Sequence, residues 1–143
     1  MNDETALEAV RVELTKGLSK GKLRAARRAF DAVTSPQAKQ LGEALDALVA
    51  MEKSEPAEAL ALAEKAEALA RTYWDHVTDF RPPALTAIVI AEVMAAKYAA
   101  ALGKRAVMAK KLRMAEQLQG ALTRGSVRGV QKLAEALTGK KKK

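Results

Sequence analysis

The run Arg81-Pro-Pro-Ala-Leu-Thr-Ala-Ile-Val-Ile-Ala-Glu-Val-Met-Ala-Ala-Lys-Tyr-Ala-Ala-Ala-Leu102 decides how this chain folds. Two successive prolines remove backbone donors and favour extended backbone ahead of them, so Arg81-Pro82-Pro83 is the hardest break in the sequence. From about Ala84 to Leu102 the residues form a helix that is apolar nearly all round, and its length is enough to cross a bilayer. Glu92 and Lys97 fall inside it, however, and alanine, which is only weakly hydrophobic, recurs after Val93. Such a helix is expected at the centre of a soluble bundle, surrounded by other helices.

The flanking sequence supplies those helices. Upstream, Asn2 or Asp3 can cap a first helix to about Lys16, with Leu7, Val10 and Leu14 on one face. Gly17 and Gly21 bracket a break before a second helix, Lys22 to Val33, whose apolar side holds Leu23, Ala26, Phe30 and Val33. Thr34-Ser35-Pro36 reads as stop, cap and first-turn proline. A third helix follows to about Glu52, with Leu41, Leu45, Leu48 and Val49 inward. Ser54-Glu55-Pro56 repeats the device and opens a long fourth helix to about Asp79, carrying Leu60, Leu62, Leu69, Tyr73 and Val77. Downstream, Gly103 ends the central helix, and a sixth runs from Lys104 to about Leu122. Gly125-Ser126 precedes a last short helix to about Leu137.

Composition agrees with this reading. Of 143 residues, 49% are hydrophobic but only 3% aromatic, so the core must be built from Ala, Leu, Val and Met. Sandwiches and barrels lean on β-branched and aromatic side chains, so close helix packing is favoured. The expected fold is all-α, a compact bundle of six to seven helices forming one domain over residues 1–138, with a disordered lysine tail at 139–143. The stretch from Ala57 to Ala66 is similar to tetratricopeptide helices. There is no sustained 34-residue period, so a solenoid is not expected.

Several chemistries are excluded. The sequence has no cysteine, which removes disulfides, iron–sulfur clusters, thiolate zinc sites and a cysteine nucleophile. Its single histidine, His76, removes multi-histidine metal sites within one chain. No Glu-x-x-His pair suits a di-iron bundle, and Gly17 and Gly21 follow no strand and lack the Lys-Ser ending of a phosphate loop. No cofactor and no metal are therefore expected, nor is an independent enzyme. The acidic start Met1-Asn2-Asp3-Glu4 is unlike a secretory leader, which makes the cytoplasm the expected location.

Charge distribution carries the functional signal. Lys and Arg number 25 against 17 acidic residues, a formal net charge of +8. Residues 1–34 hold seven basic and five acidic groups, residues 35–80 four and nine, and residues 81–143 fourteen and three. An acidic middle and a basic last third steer polyanions to one side, and nucleic acid is the commonest polyanion a cytoplasmic protein meets.

Two basic stripes follow on helical wheels. Lys20, Arg24, Arg27 and Arg28 project within about a quarter-turn of one another on the second helix. On the sixth, Arg105, Arg113, Gln117 and Arg124 share one side with Lys110 beside them, while Val107, Met114, Leu118 and Leu122 take the other. Arg128 and Lys132 on the last helix extend the track. Guanidinium groups along a helix match successive phosphates, and glutamine adds a sugar or base hydrogen bond. Phosphate contact needs only charge at the right spacing, so sequence-independent binding of RNA or single-stranded DNA is expected. A helix-turn-helix over Leu102 to Ala115 or Val127 to Leu137 lacks a recognition-helix pattern. The alternative in a different class is a protein–protein adaptor or scaffold, its charge serving only solubility.

The segment Arg71-Thr-Tyr-Trp-Asp-His76 resembles the Arg-x4-His spacing of HEPN-type ribonucleases. That resemblance implies that Arg71 stabilises phosphorane charge and His76 acts as general acid or base. The segment departs from the pattern after Arg71, where Asn or Asp is common, and lacks a Tyr two residues after His76. It also lies in the acidic third. The stronger reading is structural, with Tyr73, Trp74 and Val77 anchoring the helix and Arg71, Asp75 and His76 at its rim.

In size, helical make-up and charge, most of the chain resembles the small helical subunits of CRISPR effector complexes, components of antiviral defence. The resemblance implies an accessory subunit present in several copies, holding a guide–target duplex or displaced strand on its basic faces. Arg24, Arg27, Arg28, Arg105, Lys110, Arg113 and Arg124 would then lie near nucleic acid. The acidic third and fourth helices would face protein subunits of the larger complex or other copies of the chain, and no membrane is implied.

Overall fold

A computed structural model describes residues 3–16, 21–76, 82–121, 127 and 130–139. These form seven α-helices: α1 (Asp3–Thr15), α2 (Lys22–Phe30), α3 (Lys39–Met51), α4 (Pro56–His76), α5 (Pro82–Ala101), α6 (Arg105–Ala121) and α7 (Val130–Thr138). A 3₁₀ turn at Pro36–Ala38 leads into α3, and no strand occurs among the described residues. The molecule is an all-α bundle.

The apolar α5 stands at its centre. α4 and α6 pack along it most extensively, and α1, α7 and α3 complete its surroundings. Every residue from Thr86 to Ala96 is buried. The segment Pro83–Ala101 is long and apolar enough to span a membrane by composition, yet 72% of its apolar window is buried inside the bundle. The neighbouring helices supply the apolar environment that a membrane-spanning helix takes from lipid.

Periodicity identified the inward faces. Leu7, Val10 and Leu14 of α1 and Leu41, Leu45 and Leu48 of α3 are buried. On α4 the buried face is formed chiefly by Ala59, Ala63, Ala66, Ala70 and Tyr73, whereas Leu62 and Leu69 are only half-buried at its edge. Small side chains there leave room for the large ones of α5, which is how a core nearly free of aromatics fills its volume. α2 crosses α3 with the ring of Phe30 over Gly42. A Cβ at Gly42 would sit 2.5 Å from Phe30 Cε1.

The ends of α5 and α2 differ from the sequence expectation. α5 takes in both Pro82 and Pro83, because first-turn N–H groups have no intrahelical acceptor and proline loses nothing there. α2 stops at Phe30 rather than Val33, closed by turns in which the Asp31 and Val33 amides bond the Arg28 and Phe30 carbonyls. At the start of α4 the expectation holds: the Ser54 hydroxyl donates to the Ala50 carbonyl of α3, and Glu55, ahead of Pro56, accepts the first bond of α4 through its carbonyl, from Ala59 at 2.7 Å. Gly103, at φ 76°, ends α5: Lys104 N–H bonds the Ala99 carbonyl and Gly103 N–H that of Ala100. This paired closure needs a left-handed residue, which glycine supplies without strain.

Candidate nucleic-acid interface

The outer face of α6 is set by the residues that turn the other way. Leu112 and Ala115 are buried against α5, and Val107, Met108, Met114 and Leu118 are half-buried beside them. The helical repeat then leaves Arg105, Lys110, Arg113 and Gln117 exposed, as their wheel positions predicted. None of the three cations has a carboxylate partner among the described residues. Arg113 and Gln117 also line an open groove of about 310 Å³, together with Ala109, Leu112, Glu116 and Thr138 of α7. Glu116 makes this groove less positive than the stripe above it.

The α2 stripe is weaker than its sequence implied. Arg24 and Arg28 are exposed, but Arg27 is half-buried and its charge is taken up within the protein. Its Nε donates to Asp46 on α3 at 2.5 Å and its Nη1 to Asp31 at 2.7 Å, while the guanidinium carbon lies 5.6 Å from the Phe30 ring centroid. The hydrogen bond that Arg27 donates to Asp46 dominates in keeping this guanidinium more firmly protonated than usual, with Asp31 adding to it. Arg27 thus fastens α2 to α3, and its charge is already paired with Asp31 and Asp46. α2 packs on α1 and α3, and α6 on α5, so the two stripes stand on helices that are not packing partners. Lys132 is exposed on α7. Lys20, Arg124, Arg128 and the tail from Lys140 lie outside the described residues.

Around Arg71 the structural reading holds for the described residues: Tyr73 is buried, Trp74 packs half-buried against the core, and Arg71, Asp75 and His76 are exposed, while Val77 lies outside the described residues. Arg71 is half-exposed, but its Nη2 is shared between Glu67 Oε2 at 3.1 Å and Glu92 Oε2 at 2.9 Å. Lys111, next to the exposed Lys110, turns inward and donates to Glu67 Oε1 at 2.5 Å. Burial alone would raise the Glu67 carboxyl; the Lys111 hydrogen bond, aided by Glu92 and Arg71, outweighs it and holds the group below the usual range. Burial and the neighbouring Glu67 push Glu92 up to about 8 against the pull of Arg71. His76 is exposed, with Nδ1 2.8 Å from the Thr72 carbonyl oxygen, and Tyr73 is buried.

Sequence reasoning did not find this cluster. One signal was present: a lone carboxylate in the middle of an otherwise apolar helix must be answered by a cation or a proton from a neighbour. No family profile, no curated protein and no solved structure matches the chain.

Proposed function

We propose that the protein binds the phosphate backbone of nucleic acid without sequence preference and without catalysis, as an accessory subunit of a ribonucleoprotein complex. The observation that carries this reading is the outer face of α6, where Arg105, Lys110 and Arg113 stand exposed with no carboxylate partner among the described residues. From Arg105 to Arg113 they cover about 12 Å of helix, a track for consecutive phosphates. Arg24, Arg28 and Lys132 add exposed charge on other helices. Gln117, beside Arg113, supplies a hydrogen bond to sugar or base. The accessory role accords with the resemblance to the small subunits of CRISPR effector complexes, and the acidic surfaces of α3 and α4 are the ones to face protein neighbours.

The test is fluorescence anisotropy with labelled single-stranded RNA, single-stranded DNA and duplex DNA across a salt titration. Binding through three phosphate contacts gives a log–log salt slope between about −2 and −3. Arg105→Glu with Arg113→Glu abolishes that binding while the circular dichroism stays helical. No binding at low salt, or binding indifferent to salt, would point instead to an adaptor that works through apolar contacts.

A further inference from the structure

Glu92 is fully buried at the centre of α5, and its Oε1 makes no hydrogen bond among the described residues. Its other oxygen shares one guanidinium nitrogen of Arg71 with Glu67 Oε2. Two carboxyl groups from different helices thus meet at one guanidinium nitrogen, in a place with almost no water, and Glu67 Oε2 accepts from Arg71 Nε as well, at 3.2 Å. Two full negative charges there would repel each other strongly and leave Oε1 of Glu92 unsolvated. One proton resolves both problems, because a neutral acid costs less to bury and repels its neighbour less.

The asymmetry of the surroundings says which group takes it. Glu67 has Lys111 of α6 on one oxygen and Arg71 on the other, so it is the ionised member. Glu92 has Arg71 alone, and the half-exposed guanidinium spends part of its field on water and on Glu67. The remaining helices that pack on α5 turn apolar residues inward, Val10 of α1, Leu45 of α3 and Val130 of α7 among them.

We propose that Glu67 and Glu92 form a proton-binding carboxyl pair, and that occupancy of this site by one proton sets the stability of the α4–α5–α6 junction. The pair uses the inward side of α6, so it does not depend on the phosphate-binding reading of the outer side. The folded protein holds a proton on Glu92 up to about pH 8, whereas an ordinary glutamate loses it near 4.5. Between those values the folded state binds one more proton than the unfolded chain. The contribution of the Glu92 proton to stability is therefore complete below about pH 4.5 and lost as pH rises toward 8.

The experiment is a carbon-13 titration of the glutamate side-chain carboxyls in the intact protein, with Glu92→Gln identifying the Glu92 signal. Glu92 is expected to titrate near pH 8, apart from the surface glutamates, and Glu67→Gln is expected to lower that midpoint by about one unit. Urea denaturation at pH 5.5, 7 and 8.5 gives a second readout. The wild-type midpoint falls as pH rises, while that of Glu92→Gln stays level and overtakes it at pH 8.5. Glu92 titrating with the surface glutamates overturns the proposal, as does a midpoint that Glu67→Gln does not move. Should either variant fail to fold, the wild-type carbon titration decides, because a full set of ordinary midpoints leaves no proton to share.

Discussion

Lys111 Nζ of α6 lies 2.5 Å from Oε1 of Glu67 on α4, two residues 44 positions apart in sequence. Lys110, one residue earlier, points to solvent. A step of 100° along the helix thus separates a cation that holds the bundle together from one free to meet a ligand. Lys111→Met removes a charge-assisted bond from a mostly buried pair and is expected to cost about 2 kcal/mol. Arg71 remains on Glu67, which keeps the loss below that of an abandoned buried charge. On the proposed function, Lys110→Met is expected to leave the denaturation midpoint in place and to weaken nucleic-acid binding. Chemical denaturation and anisotropy on the two variants separate the roles; equal effects on stability would contradict the assignment.

On the proposed phosphate-binding reading, salt dependence distinguishes the arginines. Each phosphate contact contributes about one unit of log–log slope, so Arg113→Gln is expected to reduce the slope by about one for RNA of any sequence. Arg27→Gln leaves the slope unchanged, because that guanidinium already serves Asp31 and Asp46. Its effect is on the α2–α3 contact, a loss of about 0.5–1 kcal/mol for a partly exposed pair. A slope that falls with Arg27 and not with Arg113 would move the interface from α6 to α2.

The helices were readable because their signals are local. Prolines and glycines mark the ends, and Leu7, Val10 and Leu14 repeat at the helical period, so each inward face follows from a single segment. The same argument placed Arg105, Lys110, Arg113 and Gln117 outside. What the sequence could not supply is which inward residues meet. Arg27 lies only about 40° round the helix from Leu23, at the margin of the apolar face, and its partner Asp46 belongs to another helix. Glu92 is conspicuous within α5, yet its neighbours Glu67, Arg71 and Lys111 are spread over two helices and 45 positions. Their meeting depends on how α4 and α6 seat on α5, which helical periodicity does not specify. On α4 the leucines are the conspicuous apolar residues, yet Leu62 and Leu69 lie at the edge of the contact, and alanines together with Leu60 and Tyr73 form most of it.

Gly42 and Phe30 are coupled across the α2–α3 contact. Alanine at position 42 gains about 1 kcal/mol of helix propensity, but its Cβ would fall 2.5 Å from the Phe30 ring edge. The ring has to swing away from its half-buried seat and from Arg27, an overpacking cost of about 1–3 kcal/mol. Gly42→Ala is expected to destabilise the protein by about 1 kcal/mol alone. In a Phe30→Ala background the clash is gone, and the same change is expected to stabilise by about 1 kcal/mol. Urea denaturation of the four proteins in this cycle measures the coupling; additive effects would show that the ring does not rest on Gly42.

Glu67 sets the acid edge of stability, and its sign is opposite to that of Glu92. Its folded-state carboxyl is held below the ordinary value of 4.5, chiefly by Lys111 against the cost of burial. In the window below 4.5 the unfolded chain takes up a proton that folded Glu67 refuses, so stability falls as pH drops through that window. Once Glu67 is protonated, Lys111 faces a neutral acid at 2.5 Å in a nearly closed site, and the tie between α6 and α4 is broken. Helicity followed from pH 7 to pH 2 in moderate urea should show wild-type unfolding begin below about pH 4. Glu67→Gln starts from lower stability at pH 7, because Gln offers Lys111 only a neutral acceptor, and it loses less on acidification. An acid limb of equal steepness in the variant would assign the edge to the surface carboxylates. A shallower limb traces it to Glu67, the carboxylate that ties α4 to α6 through Lys111.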